Sequence, residues 1–261
     1  MVFYSNIDPV LVHLGPLEIR YYGLAFLVGF LIGYFMFPYL ARLRGLKLTK
    51  DDSADLFFYI AIFGVIGSRI LYILIYNLKF YLQNPFEMIA VWHGGLSFHG
   101  GFLGALIAFY YFARKKGLHF YDVADIVAIP AALGFAIGRV ANFINGELYG
   151  RITTMPWGVK FPGVEGFRHP SQLYESFKNL MIFAVLWNLK SSKKLAKGTL
   201  FWLFVTMYGG LRFIMEFFRQ PDEQLGFFFK YFSMGQIICS IMFIVGAFML
   251  WYVNRRSIKL K

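Results

Sequence analysis

Apolar positions in this chain fall in long uniform runs, not in the alternating or one-sided patterns of a soluble fold. Seven runs are predicted to be helices crossing a bilayer: residues 20–39, 54–76, 97–112, 123–142, 173–189, 199–218 and 232–253. Most approach the roughly 20 residues that cross a hydrocarbon core. The third and fifth are short, and residues 86–92, just before the third, are expected to dip into the interface.

The polar positions between the runs are unequal from side to side. Arg42, Arg44, Lys47 and Lys50 follow the first run, and Arg114, Lys115 and Lys116 follow the third. Lys190, Lys193, Lys194 and Lys197 follow the fifth, and Arg255, Arg256, Lys259 and Lys261 follow the seventh. More than half of the 26 basic residues thus lie on one side, which the positive-inside rule makes the cytoplasm. The expected fold class is an all-α integral membrane protein with seven transmembrane helices, N-terminus outside and C-terminus cytoplasmic. A small extracytoplasmic cap, residues 143–172, is expected between the fourth and fifth helices, within a single domain covering 1–261. Residues 157–162 in that cap are expected to form a short strand. Pro170 suits the first turn of the helix that follows, with Ser171 or His169 as its cap.

Composition narrows the class. Charged residues make up 15% of the chain and hydrophobic ones 58%, with a mean hydropathy of +0.56, whereas soluble domains carry about 25% charged residues. The net charge of +12 does not indicate nucleic acid, because the basic residues sit in clusters between spans. The one cysteine, Cys239, lies in an apolar run, so no internal disulfide or thiolate cluster can form and a packing role is expected. No cationic segment precedes a short apolar core at the start, so no cleaved signal peptide is expected.

The chemistry gathers in a few blocks. GRVANFINGELYGR at 138–151 puts Arg139 and Asn142 on one helical face. Asn145-Gly146 reads as a helix stop that returns Glu147 to the same place. Polar groups at bilayer depth are costly and usually functional. HGGLSFHGG at 93–101 surrounds His99 with glycines that allow close backbone approach, and histidine is the side chain type that titrates near neutrality. The nucleophile elbow G-x-S-x-G fails here for want of its last glycine. Ser97 and His99 are also two residues apart on a helix, so they are not read as a nucleophile–base pair. His93, His99, His169 and Glu147 lack the i, i+4 spacing of a helical zinc site, and no metal is expected. Tyr208, Arg212, Glu216 and Arg219 form one helical stripe, in which Arg212 suits an anion such as phosphate and Glu216 an ion pair. Arg69, in mid-span, is expected to pair with Asp125 or Glu216.

These blocks resemble the bacterial prolipoprotein diacylglyceryl transferases. The resemblance runs through RYYG at 20, GLSFHGG at 95, GRVANFINGELYGR at 138, RHPSQLYE at 168, YGGLRFIMEFFRQPD at 208 and GQ at 235. It implies transfer of the diacylglyceryl part of phosphatidylglycerol to the lipobox cysteine of a prolipoprotein signal peptide, giving a thioether and glycerol phosphate without a cofactor. It also implies a multi-pass protein of the bacterial cytoplasmic (inner) membrane with its active site toward the outer face, in contact with membrane lipids. Arg139 matches the arginine associated with phosphatidylglycerol, and His99 the essential histidine. Tyr22, Asn142, Glu147, Tyr208, Arg212 and Glu216 match other important positions, with Asn145 and His169 as supporting residues. The expected base for the substrate thiol is His99, with Tyr208 as the alternative. A lipid transporter and an intramembrane serine hydrolase are the rival readings; against them stand the lack of repeated halves and the failed elbow.

Overall fold

The computed structural model describes residues 3–4, 7–14, 17–192, 195–220, 227–228 and 232–259. Lys193, Lys194, Lys230, Lys261 and the Pro221-Asp222 end of one sequence block lie outside the described residues. Eight α-helices are described: α1 Tyr21–Leu43, α2 Lys50–Tyr76, α3 Leu78–Gln83, α4 Phe98–Lys115, α5 Phe120–Ile144, α6 Ser171–Leu189, α7 Thr199–Met215 and α8 Met234–Lys259. Each of the seven apolar runs is a helix, and α3 is an addition. Helices α1, α2 and α5 and the Met234–Arg255 stretch of α8 are long and apolar enough to cross a bilayer. This is an all-α, multi-pass membrane protein. Helix α6 misses the apolar standard because it carries Glu175, Ser176, Lys178 and Asn179, all buried. Helix α7 is apolar but has only 17 residues.

Helix ends explain most differences from expectation. Helix α2 starts before residue 54 because Thr49 and Asp52 form a capping box. The Thr49 hydroxyl accepts from the Asp52 amide at 3.2 Å, and the Asp52 carboxylate accepts from the Thr49 amide at 2.7 Å. Helix α7 stops at Met215, so Glu216 is its C-cap and Arg219 lies beyond the expected stripe. Pro170 is the N-cap of α6, not its first residue, and neither His169 nor Ser171 caps it. The strand expected at 157–162 shortens to Val159–Lys160, paired in parallel with Phe3–Tyr4. An antiparallel hairpin, Val10–Leu14 with Leu17–Arg20, precedes α1. Where an interfacial dip was expected, two single 3-10 turns occur, Pro85–Met88 and Val91–His93.

The chain forms two compact units, Leu46–Ala124 and the remainder. In the larger unit, Phe37, Leu40, Ile126, Ile129, Ile182, Leu186 and Leu200 are almost fully buried. Near the basic end of α1, Asp125 accepts from Arg44 Nη2 at 2.6 Å and from the amides of Gly198 and Phe201, both at 2.9 Å. The carboxylate thus satisfies the free amides at the start of α7 and complements its dipole.

In the smaller unit, α2 and α4 meet through glycines. Gly104 faces the Phe63 carbonyl so closely that a Cβ would collide with backbone. Such small-residue contacts drive helix association where lipid removes the hydrophobic incentive. Arg69 corrects the sequence reading, for it pairs with neither Asp125 nor Glu216. Its guanidinium donates to the carbonyls of Glu87, Met88, Ala90, Gly94 and Gly95, and it lies 5.0 Å from the centre of the Tyr81 ring. The irregular backbone before α4 leaves carbonyls without helical partners, and five guanidinium donors meet that need.

Gly104→Val is expected to destabilise the protein by about 1–3 kcal/mol, because backbone cannot yield as a side chain can. Thermal unfolding in detergent micelles measures this, and a melting point equal to the wild type would contradict the close approach.

Candidate active site

The site in the larger unit begins at the end of α5. Gly146 has φ +68°, a conformation that glycine adopts without strain. The Gly146 amide donates to the Phe143 carbonyl at 3.1 Å, and the Glu147 amide to the Asn142 carbonyl at 3.1 Å. This is a Schellman motif. It folds the chain back on the last turn, so that Glu147 meets Asn142 as the sequence suggests. Asn142 Nδ2 donates to Glu147 Oε1 at 2.8 Å, and Asn145 Nδ2 donates to the same oxygen at 3.3 Å. Gln172 Nε2, from α6, donates to the Glu147 carbonyl at 2.7 Å. Together with Arg20, Tyr22 and Leu148, residues Asn142, Asn145 and Glu147 line an open cavity of about 340 Å³.

Arg139 joins this mouth to a buried charge network. Its Nη1 donates to Asn142 Oδ1 at a long 3.5 Å, and its Nε lies 4.0 Å from Glu175 Oε2. Asn142 therefore places its carbonyl toward a cation and its amide nitrogen toward a carboxylate. Glu175 is the hub within. Lys178 Nζ donates to its Oε2 at 2.7 Å, and Arg212 Nη1 lies 2.9 Å from its Oε1. The same Arg212 nitrogen is 2.6 Å from Glu216 Oε2. These two arginine contacts are close ion pairs without aligned hydrogen bonds, since Arg212 Nη1, Glu175 Oε1 and Glu216 Oε2 have no hydrogen-bond partner.

Glu216 is anchored from α8. Ser233 and Gln236 form a capping box: the Ser233 hydroxyl accepts from the Gln236 amide at 3.1 Å, and Gln236 Oε1 accepts from the Ser233 amide at 3.0 Å. The capped serine then donates to Glu216 Oε1 at 3.0 Å. Tyr208, one turn before Arg212, presents its ring to Lys178 Nζ, 3.9 Å from the ring centre. Side-chain exposure separates the cations: 22% for Arg139, 8% for Arg212 and 2% for Lys178. Arg139 is the least enclosed and the least committed of the three.

The structure thus brings Tyr22, Asn142, Asn145 and Glu147 to one cavity, with Arg139 linking it to Arg212 and Glu216. His169 does not line that cavity. Its Nδ1 lies 3.1 Å from the Tyr174 hydroxyl, and its ring meets Phe218 edge-on. Trp157 Nε1 donates to the Tyr174 oxygen at 2.7 Å, which leaves the tyrosine proton for the imidazole. Burial pushes the His169 pKa below its ordinary value, consistent with a neutral ring that accepts this proton. Its role here is to join the cap to α6. His99 lies in the smaller unit, in the first turn of α4, and is exposed. Ser97, the N-cap of the same helix, is buried.

Glu175 and Lys178 are the residues that sequence reasoning missed. Their signal was present: two ionisable groups three apart within one predicted span. The capping box at 233–236 was equally legible as S-x-x-Q before an apolar run.

The family model for prolipoprotein diacylglyceryl transferase matches residues 9–252. A phosphatidylglycerol–prolipoprotein diacylglyceryl transferase of Geobacter sulfurreducens is 48% identical over 257 residues, 98% of this chain and 98% of its own length. The protein of the same name from Francisella tularensis subsp. novicida is 45% identical over 254 residues, 96% of this chain and 94% of its own.

Proposed function

The chain belongs to the prolipoprotein diacylglyceryl transferase family, and from that premise we propose how its residues carry out the transfer. It is a transferase that moves the diacylglyceryl group of phosphatidylglycerol to a prolipoprotein. A sulfur–carbon bond forms between the lipobox cysteine and the lipid glycerol. The bond from that carbon to the phosphate oxygen breaks, the thiol proton passes to a base, and glycerol phosphate leaves.

Arg139 holds the phosphate. The observation that carries this reading is its position: a guanidinium at the edge of the network, held by one long hydrogen bond and one 4.0 Å ion contact. Its planar fork suits phosphate oxygens. Asn142, Glu147, Asn145 and Tyr22 shape the cavity for the lipid head. Arg212 contacts its two carboxylates through one nitrogen, Nη1, and its other donors serve the departing phosphate. That phosphate goes from one negative charge to two as the bond breaks, so fixed cations favour the transition state over the bound lipid. His99 takes the thiol proton. An exposed imidazole in a glycine-rich entry is accessible to an incoming peptide and has a ring nitrogen able to accept a proton. Tyr208, with its ring against Lys178, is the alternative acceptor.

All seven long helices cross the bacterial cytoplasmic membrane, with the N-terminus and the cap outside, the basic segments inside and the active site toward the outer face. The basic asymmetry supports this topology. In a Cys239→Ser background, Lys47→Cys should be protected from an impermeant thiol reagent added outside, and Glu165→Cys should react. The opposite pattern would reverse the orientation.

The activity itself is tested with labelled phosphatidylglycerol and a lipobox peptide. Arg139→Lys keeps the charge and loses the fork, and should cost about 1.5–3 kcal/mol in lipid binding or transition-state stabilisation. Normal affinity and rate would remove Arg139 from the phosphate.

His99→Gln should retain lipid binding and lower turnover by about 10²–10⁴-fold. That defect should shrink as pH rises from about 6 to 9, because more of the substrate thiol is then already ionised. A defect independent of pH would refute the base assignment.

A further inference from the structure

Lys178 is a buried cation to which the reaction outlined above assigns no part. It lies one turn after Glu175 on α6 with its side chain 2% exposed. Its ammonium is 2.7 Å from Glu175 Oε2, the same oxygen that faces Arg139 Nε at 4.0 Å. Two cations thus address one carboxylate oxygen, and the lysine has taken it. The Tyr208 ring lies against the ammonium and stabilises it without supplying a second anion. Among the described ion pairs of this group, three cations, Arg139, Lys178 and Arg212, share two carboxylates, Glu175 and Glu216, one more positive charge than negative. Uncompensated charge in a buried setting is costly, and a phosphate at Arg139 would balance it.

We propose that Lys178 is a positioning residue that occupies Glu175 Oε2 and thereby keeps Arg139 free for the lipid phosphate. The inference rests on the reading that Arg139 holds that phosphate. Without the ammonium, the carboxylate would draw Arg139 in from 4.0 Å, since Coulomb attraction grows as distance falls and dielectric shielding is weak in a buried site. The lipid would then compete with Glu175 for the guanidinium. Lysine suits the task as a compact point charge that saturates one oxygen.

The test is steady-state kinetics in mixed micelles with phosphatidylglycerol and a lipobox peptide. Lys178→Met should raise the KM for phosphatidylglycerol by about tenfold or more, the scale of one lost contact to a charged group, with much less change in kcat. Lys178→Arg keeps the charge and should recover most of the affinity. The double variant Lys178→Met/Glu175→Gln removes both charges, restores the single positive excess and should also recover affinity. Glu175→Gln alone frees both cations and should lower the KM; this arm decides the question if Lys178→Met does not fold. An unchanged KM in Lys178→Met, an equal loss in the double variant, or a raised KM in Glu175→Gln would each overturn the inference. Arg139→Gln is the control for the underlying reading. If it abolishes lipid binding while Lys178→Met does not, only the role of Lys178 fails; if it binds lipid normally, the reading of Arg139 fails as well.

Discussion

A carboxylate buried in a membrane helix has to be compensated, and Glu175 is compensated from three helices. Lys178 comes from its own helix α6, Arg212 from α7, and Arg139 from α5 at a longer distance. Removing an ion from water costs several kcal/mol even after relaxation, and only close opposite charges return it. The requirement therefore fixes the relative positions of three helices that are otherwise joined by non-directional apolar contact. Glu216 extends the constraint to a fourth, because its carboxylate meets both Arg212 and the capping serine of α8. What positions the site is thus largely the same set of interactions that makes the charged interior tolerable.

Backbone geometry at helix ends does the remaining placement. The Schellman turn at Gly146 brings the Glu147 carboxylate onto Asn142, and the box at Ser233 and Gln236 orients the hydroxyl that holds Glu216. Each device satisfies amides or carbonyls that a helix end leaves open, and each also aims a side chain of the candidate site. The signature blocks at 138–151 and 235–236 are in this sense structural and chemical together.

The long helices were legible because a bilayer demands long apolar runs. The Arg139–Asn142–Glu147 cluster was legible because it depends on local rules, helical spacing and a glycine stop. Arg69 was not, because its partners are carbonyls of an irregular segment, and nothing in residue type advertises a carbonyl that lacks an amide. The α6 hub was overlooked for a different reason. Glu175 sits at the end of a block that reads as a helix start, and Lys178 falls just beyond that block. Their meaning depends on Arg139 and Arg212, which are 34 or more positions away along the chain. Register along one helix can be read from sequence; which of two cations claims a given carboxylate oxygen depends on tertiary distance.

That competition bears on how a lipid transferase holds an arginine ready. A guanidinium fully paired to a carboxylate is stable but closed to substrate, and one with no partner is too costly to bury. Arg139 lies between these limits, with a 3.5 Å amide contact on one side and a 4.0 Å carboxylate contact on the other. Neither contact is strong enough to outcompete a bidentate phosphate. In the role proposed for Lys178, the cost of holding the arginine open is met elsewhere, by the closer pairs that Lys178 and Arg212 make to the same carboxylate. Under the proposed mechanism, in which the phosphate gains charge as the carbon–oxygen bond breaks, an arginine kept loosely held in the free protein can tighten on the phosphate as the reaction proceeds. Interaction energy released at that point lowers the barrier, whereas the same energy spent on Glu175 would have been spent before the lipid arrived.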